Sequence, residues 1–122
     1  MIRIALVSSN RVLMQGIKKS VLDIRKDCEI LSLNNYTQAL LDIETQNAGV
    51  IIIDAMDENT MEKAVRLCEE LKKLDDRKVL LLVGRCGGLA ERVIKAKHDK
   101  LVDDFVFYDS SMEYLIAKLE AL

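Results

Sequence analysis

A run of four β-branched residues that ends in a single carboxylate constrains the fold more than any other stretch of this chain. Val50 to Ile53 contain no polar residue, and Asp54 follows them directly. A strand without polar alternation is typical of a parallel sheet that is covered on both faces. Because ligands collect at the carboxyl ends of parallel strands, Asp54 is the first candidate for a functional side chain.

Four other short apolar segments alternate with segments of helical periodicity along the rest of the chain. Strands are predicted near residues 2–7, 28–33, 50–54, 79–83 and 105–107, and a helical pattern follows each of them. This alternation predicts an α/β fold of the flavodoxin-like (βα)5 class. We expect a five-stranded parallel sheet in the order 2-1-3-4-5, with helices on both faces.

The helix boundaries carry their own signals. Ser9 or Asn10 is expected to cap the first helix, which is predicted over residues 11–26 with Ile24 on its apolar side. Residues 59–62 and 110–113 each resemble a capping box, with a glutamate three residues after a polar side chain. The second helix is expected to end near Gly49.

Composition excludes several classes of protein. The 122 residues predict a single domain over 1–122, with no output domain inside it. The net charge of -2 gives no broad basic field for nucleic acid, and no apolar run approaches the ~20 residues of a membrane span. Cys28, Cys68 and Cys86 are scattered and odd in number, which favours a reducing cytoplasm over a disulfide framework.

With five βα units and an aspartate ending strand three, the chain resembles a CheY-like response-regulator receiver domain. The segments 2–7 and 12–17 are most similar to the branch that carries a LuxR-type helix-turn-helix output domain. The resemblance implies a non-enzymatic module of a two-component system that regulates transcription through an output domain not present here. It also implies that Asp54 is the phosphoacceptor position.

The residues around Asp54 depart from the family pattern. Two acids that usually bind Mg²⁺ are replaced by Ser8 and Ser9, and Met56 stands where a backbone carbonyl completes the metal site. The usual Thr or Ser of strand four is Val83, and the usual lysine of strand five is Tyr108. Phe105 falls where the family often has an aromatic switch residue, so the candidate switch positions are Val83, Phe105 and Tyr108.

Loss of these charges leads to the main hypothesis about function. Each missing acid removes roughly 1–4 kcal/mol of attraction for a cation at near-surface dielectric. We therefore expect no metal or other cofactor, and no efficient phosphorylation of Asp54 by the Mg²⁺ route. In that case Asp54 accepts backbone hydrogen bonds or caps the turn after strand three.

Two alternatives stay open at this point. One is a conventional phosphoacceptor with weakened Mg²⁺ dependence, in which the Met56 carbonyl and Asp57 assist Asp54 as makeshift ligands. The other is a sensor of a small ligand that binds the same rim. Cys86 as a redox sensor has less support, and the lone His98 is expected to be solvated near a helix end.

The resemblance also implies a surface for partners. Helix four, strand five and helix five are expected to mediate homodimerisation or contact with another protein, and a sensor kinase is a further implied partner. The candidate residues on this surface are Lys95, Lys97, Phe105, Tyr108 and Tyr114.

Overall fold

The apolar run of residues 50–53 forms the middle of a five-stranded parallel sheet. A computed structural model describes residues 2–122. The strand order is β2-β1-β3-β4-β5, and every neighbouring pair is parallel. The strands are β1 Ile2–Val7, β2 Cys28–Leu33, β3 Val50–Ala55, β4 Lys78–Val83 and β5 Asp104–Phe107.

Each strand is followed by a helix, so the predicted (βα)5 architecture and strand order are confirmed. No helix within residues 2–122 combines the length and the apolar character that a bilayer crossing requires. The helices are α1 Arg11–Ile24, α2 Tyr36–Gln46, α3 Glu58–Leu74, α4 Leu89–His98 and α5 Met112–Glu120.

The two faces of the sheet carry separate apolar clusters, because neighbouring side chains along a strand point to opposite faces. Ile51 and Ile53 pack with α2, α3 and α4, whereas Ile52 packs with α1 and α5. All three isoleucines are at most 1% exposed. The absence of polar alternation in β3 therefore has the expected cause, which is burial on both faces.

The sequence pattern assigns the N-caps of two helices to the wrong residues. Helix α3 begins at Glu58 and is capped by Asp57, whose carboxylate accepts from the Thr60 amide at 2.8 Å. Asn59 thus lies inside the first turn. Helix α5 is capped by Ser111, which accepts from Tyr114. Both regions hold several side chains able to cap, so the sequence pattern did not single out one.

Other boundaries differ by a few residues from the expected ones. Of the two candidate caps of α1, Asn10 is the one used, since it accepts from the amide of Leu13. The helix ends at Ile24, which is 55% exposed and so lies outside the apolar stripe assigned to it. Helix α2 ends at Gln46, before Gly49, because Asn47 adopts a left-handed conformation.

The cysteines divide as their surroundings in the sequence suggest. Cys28 and Cys68 are buried, and Cys86 is exposed in the loop before α4. Burial raises the pKa of the Cys68 thiol to about 12, and it raises the pKa of Cys28 as well. Both buried thiols therefore behave as small apolar side chains of the core.

Candidate functional site

Asp54 lies at the carboxyl end of β3, next to the end of β1, where the strand order reverses direction. Ile53 pairs with Val7, so Asp54 and Ser8 leave neighbouring strands at the same level. Both residues are buried, with 4% of Asp54 and 3% of Ser8 exposed. This is the position at which open parallel sheets form their sites.

Ser8 holds one oxygen of the Asp54 carboxylate. Its hydroxyl group donates to Oδ2 of Asp54 at 2.8 Å and accepts from the amide of Asn10 at 3.0 Å. The amide of Asn10 cannot accept, so it fixes the hydroxyl oxygen as an acceptor and directs the hydroxyl proton to Asp54. Ser8 is therefore a neutral, oriented donor at a position where the resembling family has an acid.

Tyr108 holds the other oxygen. Its hydroxyl group donates to Oδ1 of Asp54 from the turn that follows β5. Burial raises the pKa of Tyr108 above its usual range, and the hydrogen bond to the Asp54 carboxylate raises it further. The phenol therefore stays protonated at neutral pH and remains a donor.

Tyr36 contacts the same residue through the main chain. Its hydroxyl group donates to the carbonyl oxygen of Asp54 at 2.7 Å from the first position of α2. Burial raises the pKa of Tyr36 beyond its usual range, with the negative charge of Asp54 as the next cause. The sequence analysis did not identify Tyr36 as a site residue, although it follows β2 at the same edge of the sheet.

The electrostatic setting of Asp54 is unusual for a buried carboxylate. Within residues 2–122, Asp54 forms no ion pair, and its hydrogen-bond donors are hydroxyl groups. The nearby Arg85 instead pairs with Asp109 at 2.7 Å and lies 3.9 Å from the ring centroid of Phe107. Buried carboxylates usually have a cationic partner, so the two hydroxyl groups carry most of the compensation here.

The Met56 carbonyl, the expected main-chain ligand, has neighbours of its own. A Cβ atom added to Gly84 would lie 2.0 Å from the carbonyl oxygen of Met56, so only glycine permits this approach of the two loops. The thiol of Cys86 lies 3.5 Å from the same oxygen. Neither contact was anticipated, because both depend on how the loop after β4 folds over the loop after β3.

The donor set at this edge does not fit Mg²⁺. That ion prefers hard oxygen ligands in octahedral geometry, with one or two carboxylates among them. Both carboxylate oxygens of Asp54 already accept hydrogen bonds from hydroxyl groups. Asp57, the proposed makeshift ligand, caps α3, and no group of three potential ligand side chains occurs within residues 2–122.

The remaining predicted positions are only partly brought together. Ser9 is exposed and makes no hydrogen bond to Asp54, although the resemblance places it beside Ser8 at a metal-binding position of the family. Val83 is fully buried at the end of β4. Phe105 is half-buried and packs edge-on against Phe107, with 5.5 Å between the ring centroids.

Asp54 also differs from its expected bonding. The hypothesis assigned it backbone hydrogen bonds or a capping role after β3, and that assignment is wrong. The side chain accepts from hydroxyl groups, and the cap after β3 is Asp57. Tyr108 is likewise turned toward Asp54, so its hydroxyl group is not offered to a partner.

The surface formed by α4, β5 and α5 is joined by a three-residue ion cluster. Asp104 accepts from Lys97 at 3.2 Å and from Lys118 at 3.0 Å, which links both helices to β5. Lys95 pairs instead with Asp99, the residue that caps the C-terminus of the same helix. Tyr114 is 47% exposed on this surface.

Comparison with solved structures agrees with the topology. The chain superposes on a CheY-like receiver domain from Methanospirillum hungatei with a TM-score of 0.80 and 16% identity, covering 99% of this chain and 92% of that one. The chain has the fold of CheY-like receiver domains. A Francisella response-regulator receiver domain gives a TM-score of 0.81 at 20% identity, covering 99% and 95% of the two chains.

The same receiver fold also occurs in a protein with another description. An adenylate cyclase structure from Rhodopirellula baltica matches with a TM-score of 0.83 and 19% identity, covering 98% of this chain and 84% of that one. No protein-family model and no curated protein matches the chain. At these identities the likeness establishes the fold, while function depends on the residues of the site.

Proposed function

We propose that this chain is a receiver-type signalling module that acts by binding proteins and does not store a phosphoryl group on Asp54. One observation carries the proposal. Both carboxylate oxygens of Asp54 accept hydrogen bonds from neutral hydroxyl groups, those of Ser8 and Tyr108, and the Asp54 residue is only 4% exposed.

Phosphoryl transfer to a carboxylate needs an accessible oxygen and positive charge around the transferred group. Asp54 lacks both in this arrangement. A phosphoryl donor would have to displace the Tyr108 or Ser8 hydroxyl, and within residues 2–122 no cationic side chain pairs with Asp54. The alternative of a weakened phosphoacceptor has less support, because Asp57 caps α3 and Glu58 pairs with Arg92.

Incubation with Mg²⁺ and acetyl phosphate, followed by intact-mass measurement, tests this half of the proposal. We expect no stoichiometric adduct on the unaltered chain. An adduct that is lost in Asp54→Asn and kept in the control Asp57→Asn would overturn the proposal. A second arm uses Ser8→Asp with Tyr108→Lys, which frees both carboxylate oxygens of Asp54 and restores a cation, so we expect any adduct to appear there first.

The binding surface that we propose is the one formed by α4, β5 and α5. Ile94 is 57% exposed and lies one turn before Lys97 on α4, and Tyr114 lies one turn before Lys118 on α5. Residues three and four apart on a helix share a side, so Ile94 and Tyr114 flank the ion cluster of Asp104. Apolar side chains around a satisfied charge cluster suit a homodimer or a protein partner.

Light scattering across a range of concentrations tests self-association. We expect dimers that Ile94→Asp weakens at least tenfold, because a carboxylate would be buried there without a partner. Leu41→Asp on α2 is the matched control, since Leu41 is 60% exposed but lies on the other side of the molecule from β5. A monomer at every concentration would leave only the heteromeric version, and equal weakening by both variants would refute the surface.

Control of a DNA-binding output domain, as in the LuxR-type branch, is part of this proposal and rests on the resemblance alone.

A further inference from the structure

A groove with two cations runs between α1 and β2, at the edge of the sheet opposite β5. We call it the β2-edge groove. Its lining residues are Arg11, Met14, Gln15, Lys18, Ser32 and Asn34.

The β2-edge groove carries uncompensated positive charge. Within residues 2–122, neither Arg11 nor Lys18 forms an ion pair, and the described lining contains no carboxylate. Arg11, Gln15 and Lys18 are spaced as i, i+4 and i+7 and so form one stripe along α1. Glu29 on β2 is already paired with Arg3, and strand alternation places its side chain on the opposite face from Ser32.

The outer edge of β2 has no strand partner within residues 2–122, and Ser32 of β2 and Asn34 just after it line the groove. β2 pairs with β1 alone, and the carbonyl groups of Asp27 and Leu33 accept from β1 and its continuation. Peptide groups alternate in direction along a strand, so the amide and carbonyl groups of Cys28, Ile30 and Ser32 point to the outer edge. An edge of this kind is a template for another extended chain.

We propose that this edge binds an extended acidic segment of a partner protein, which pairs with β2 as a sixth strand and places its carboxylates against Arg11 and Lys18. Charge complementarity favours this occupant, since the described lining of the groove consists of two cations and four neutral side chains. The site is separate from the surface of α4, β5 and α5, because β2 and β5 are opposite edges of the sheet. It therefore holds whether or not Asp54 accepts a phosphoryl group.

The spacing of the two cations favours a peptide over a small anion. Seven residues of helix separate Arg11 from Lys18, which is about 10 Å along the axis. A single phosphate does not span that distance. Side chains on one side of a strand repeat every ~6.6 Å, so two acidic residues at alternate positions reach both flexible cations.

A blocked hexapeptide of alternating Glu and Val, titrated into the ¹⁵N-labelled chain, tests the proposal by amide chemical shifts. We expect shifts at Cys28, Ile30 and Ser32, and none with the matching peptide of alternating Lys and Val. Arg11→Gln with Lys18→Gln should weaken binding about three- to tenfold, as two exposed ion pairs predict. Arg66→Gln with Lys73→Gln removes the same charge from α3 and should bind as the unaltered chain does.

The strand pairing has its own test. Ser32→Pro removes the N–H group that points to the outer edge of β2 and leaves the hydrogen bonds to β1 intact. The variant should therefore stay folded but no longer bind the Glu-Val peptide. A peptide N-methylated at alternate residues probes the same contacts without altering the protein, and it should not bind. Unchanged binding in the Arg11 and Lys18 variant would overturn the proposal. So would inorganic phosphate that shifts Arg11 and Lys18 while the peptide leaves the β2 amides unmoved.

Discussion

The hydroxyl group of Tyr108 donates a hydrogen bond to Oδ1 of Asp54 across 54 residues of chain. The bond ties the turn after β5 to β3, although β4 lies between those strands. Ser8 makes the equivalent bond from the end of β1. The carboxylate of Asp54 thus connects the ends of three strands, β1, β3 and β5. Its removal should therefore lower the stability of the fold.

Removal of the phenol hydroxyl should destabilise the fold. Tyr108→Phe keeps the ring but leaves Oδ1 of a buried carboxylate without its donor, which costs about 1–3 kcal/mol. Urea denaturation measures the change, and Tyr114→Phe is the control because Tyr114 is 47% exposed. Equal midpoints for the two variants would show that the bond to Asp54 contributes nothing.

Replacement of Asp54 itself separates its charge from its hydrogen bonds. Asp54→Asn keeps one acceptor oxygen for Ser8, places an amide donor opposite Tyr108, whose hydroxyl oxygen can accept from it, and removes a buried charge that has no cationic partner, so we expect stability within about 1 kcal/mol of the original. Asp54→Ala leaves the buried Ser8 hydroxyl and the half-buried Tyr108 hydroxyl without their acceptor and should cost about 2–4 kcal/mol. If Asn destabilises as much as Ala, the negative charge is compensated by a source other than the hydroxyl groups.

Alkaline pH should destabilise the fold through the two half-buried tyrosines, Tyr36 and Tyr108. The pKa values of Tyr36 and Tyr108 are raised in the folded chain, and both exceed the ordinary value of about 10. The stabilisation that the two protonated tyrosines give the fold is fully present below about pH 10. It is lost as the pH rises toward the folded pKa, by up to about 1.4 kcal/mol of unfolding free energy per pH unit for each group. Free energies of unfolding from urea titrations between pH 8 and 11 measure the slope.

The control for that slope is Tyr108→Phe, which removes one of the two groups. Its free energy of unfolding should fall less steeply with pH above 10 than that of the unaltered chain. Parallel curves would mean that Tyr108 does not contribute to the alkaline loss of stability.

The close approach of two loops predicts a severe effect at one glycine. Gly84→Ala would place a Cβ atom 2.0 Å from the carbonyl oxygen of Met56, so the loops must separate. We expect a loss of about 2–4 kcal/mol in thermal or urea denaturation. Gly16→Ala in α1 meets no atom within 4 Å and should stabilise the chain by up to about 1 kcal/mol. A mild effect at Gly84 would contradict this loop geometry.

The cap of α3 can be located by two alanine substitutions. Asp57→Ala removes the acceptor of the Thr60 amide and should cost about 0.5–2 kcal/mol. Asn59→Ala lies inside the first turn and should be close to neutral. Urea denaturation measures both losses. A larger loss for Asn59→Ala than for Asp57→Ala would show that Asn59 is the cap, as the sequence pattern predicted.

Much of the fold was predictable because it depends on local patterns. Burial is visible directly in the unbroken apolar run of β3 and in the apolar spacing of α1. The alternation of such strands and helices, together with the rules for connecting parallel strands, led to the correct strand order. The caps at Asn59 and Ser110 were wrong because neighbouring polar residues, Asp57 and Ser111, suit the same role. Nothing in the local sequence ranks such residues against each other.

The site was predictable in position but not in its bonding. The sequence placed Ser8, Asp54 and Tyr108 near one edge, since each follows a strand of a parallel sheet. It did not show that Tyr36 and Tyr108 direct their hydroxyl groups to Asp54, or that Gly84 lies against Met56. Those contacts join residues that are 18 to 54 positions apart along the chain.

The amino-acid sequence by itself determined the sheet, its order and the loss of charge around Asp54, because periodicity and residue type are local properties. Tertiary structure alone decided that the remaining carboxylate is held by two hydroxyl groups. A hydrogen bond needs two atoms within about 3 Å and correctly directed. That condition depends on how separate loops pack, which no spacing along the chain encodes.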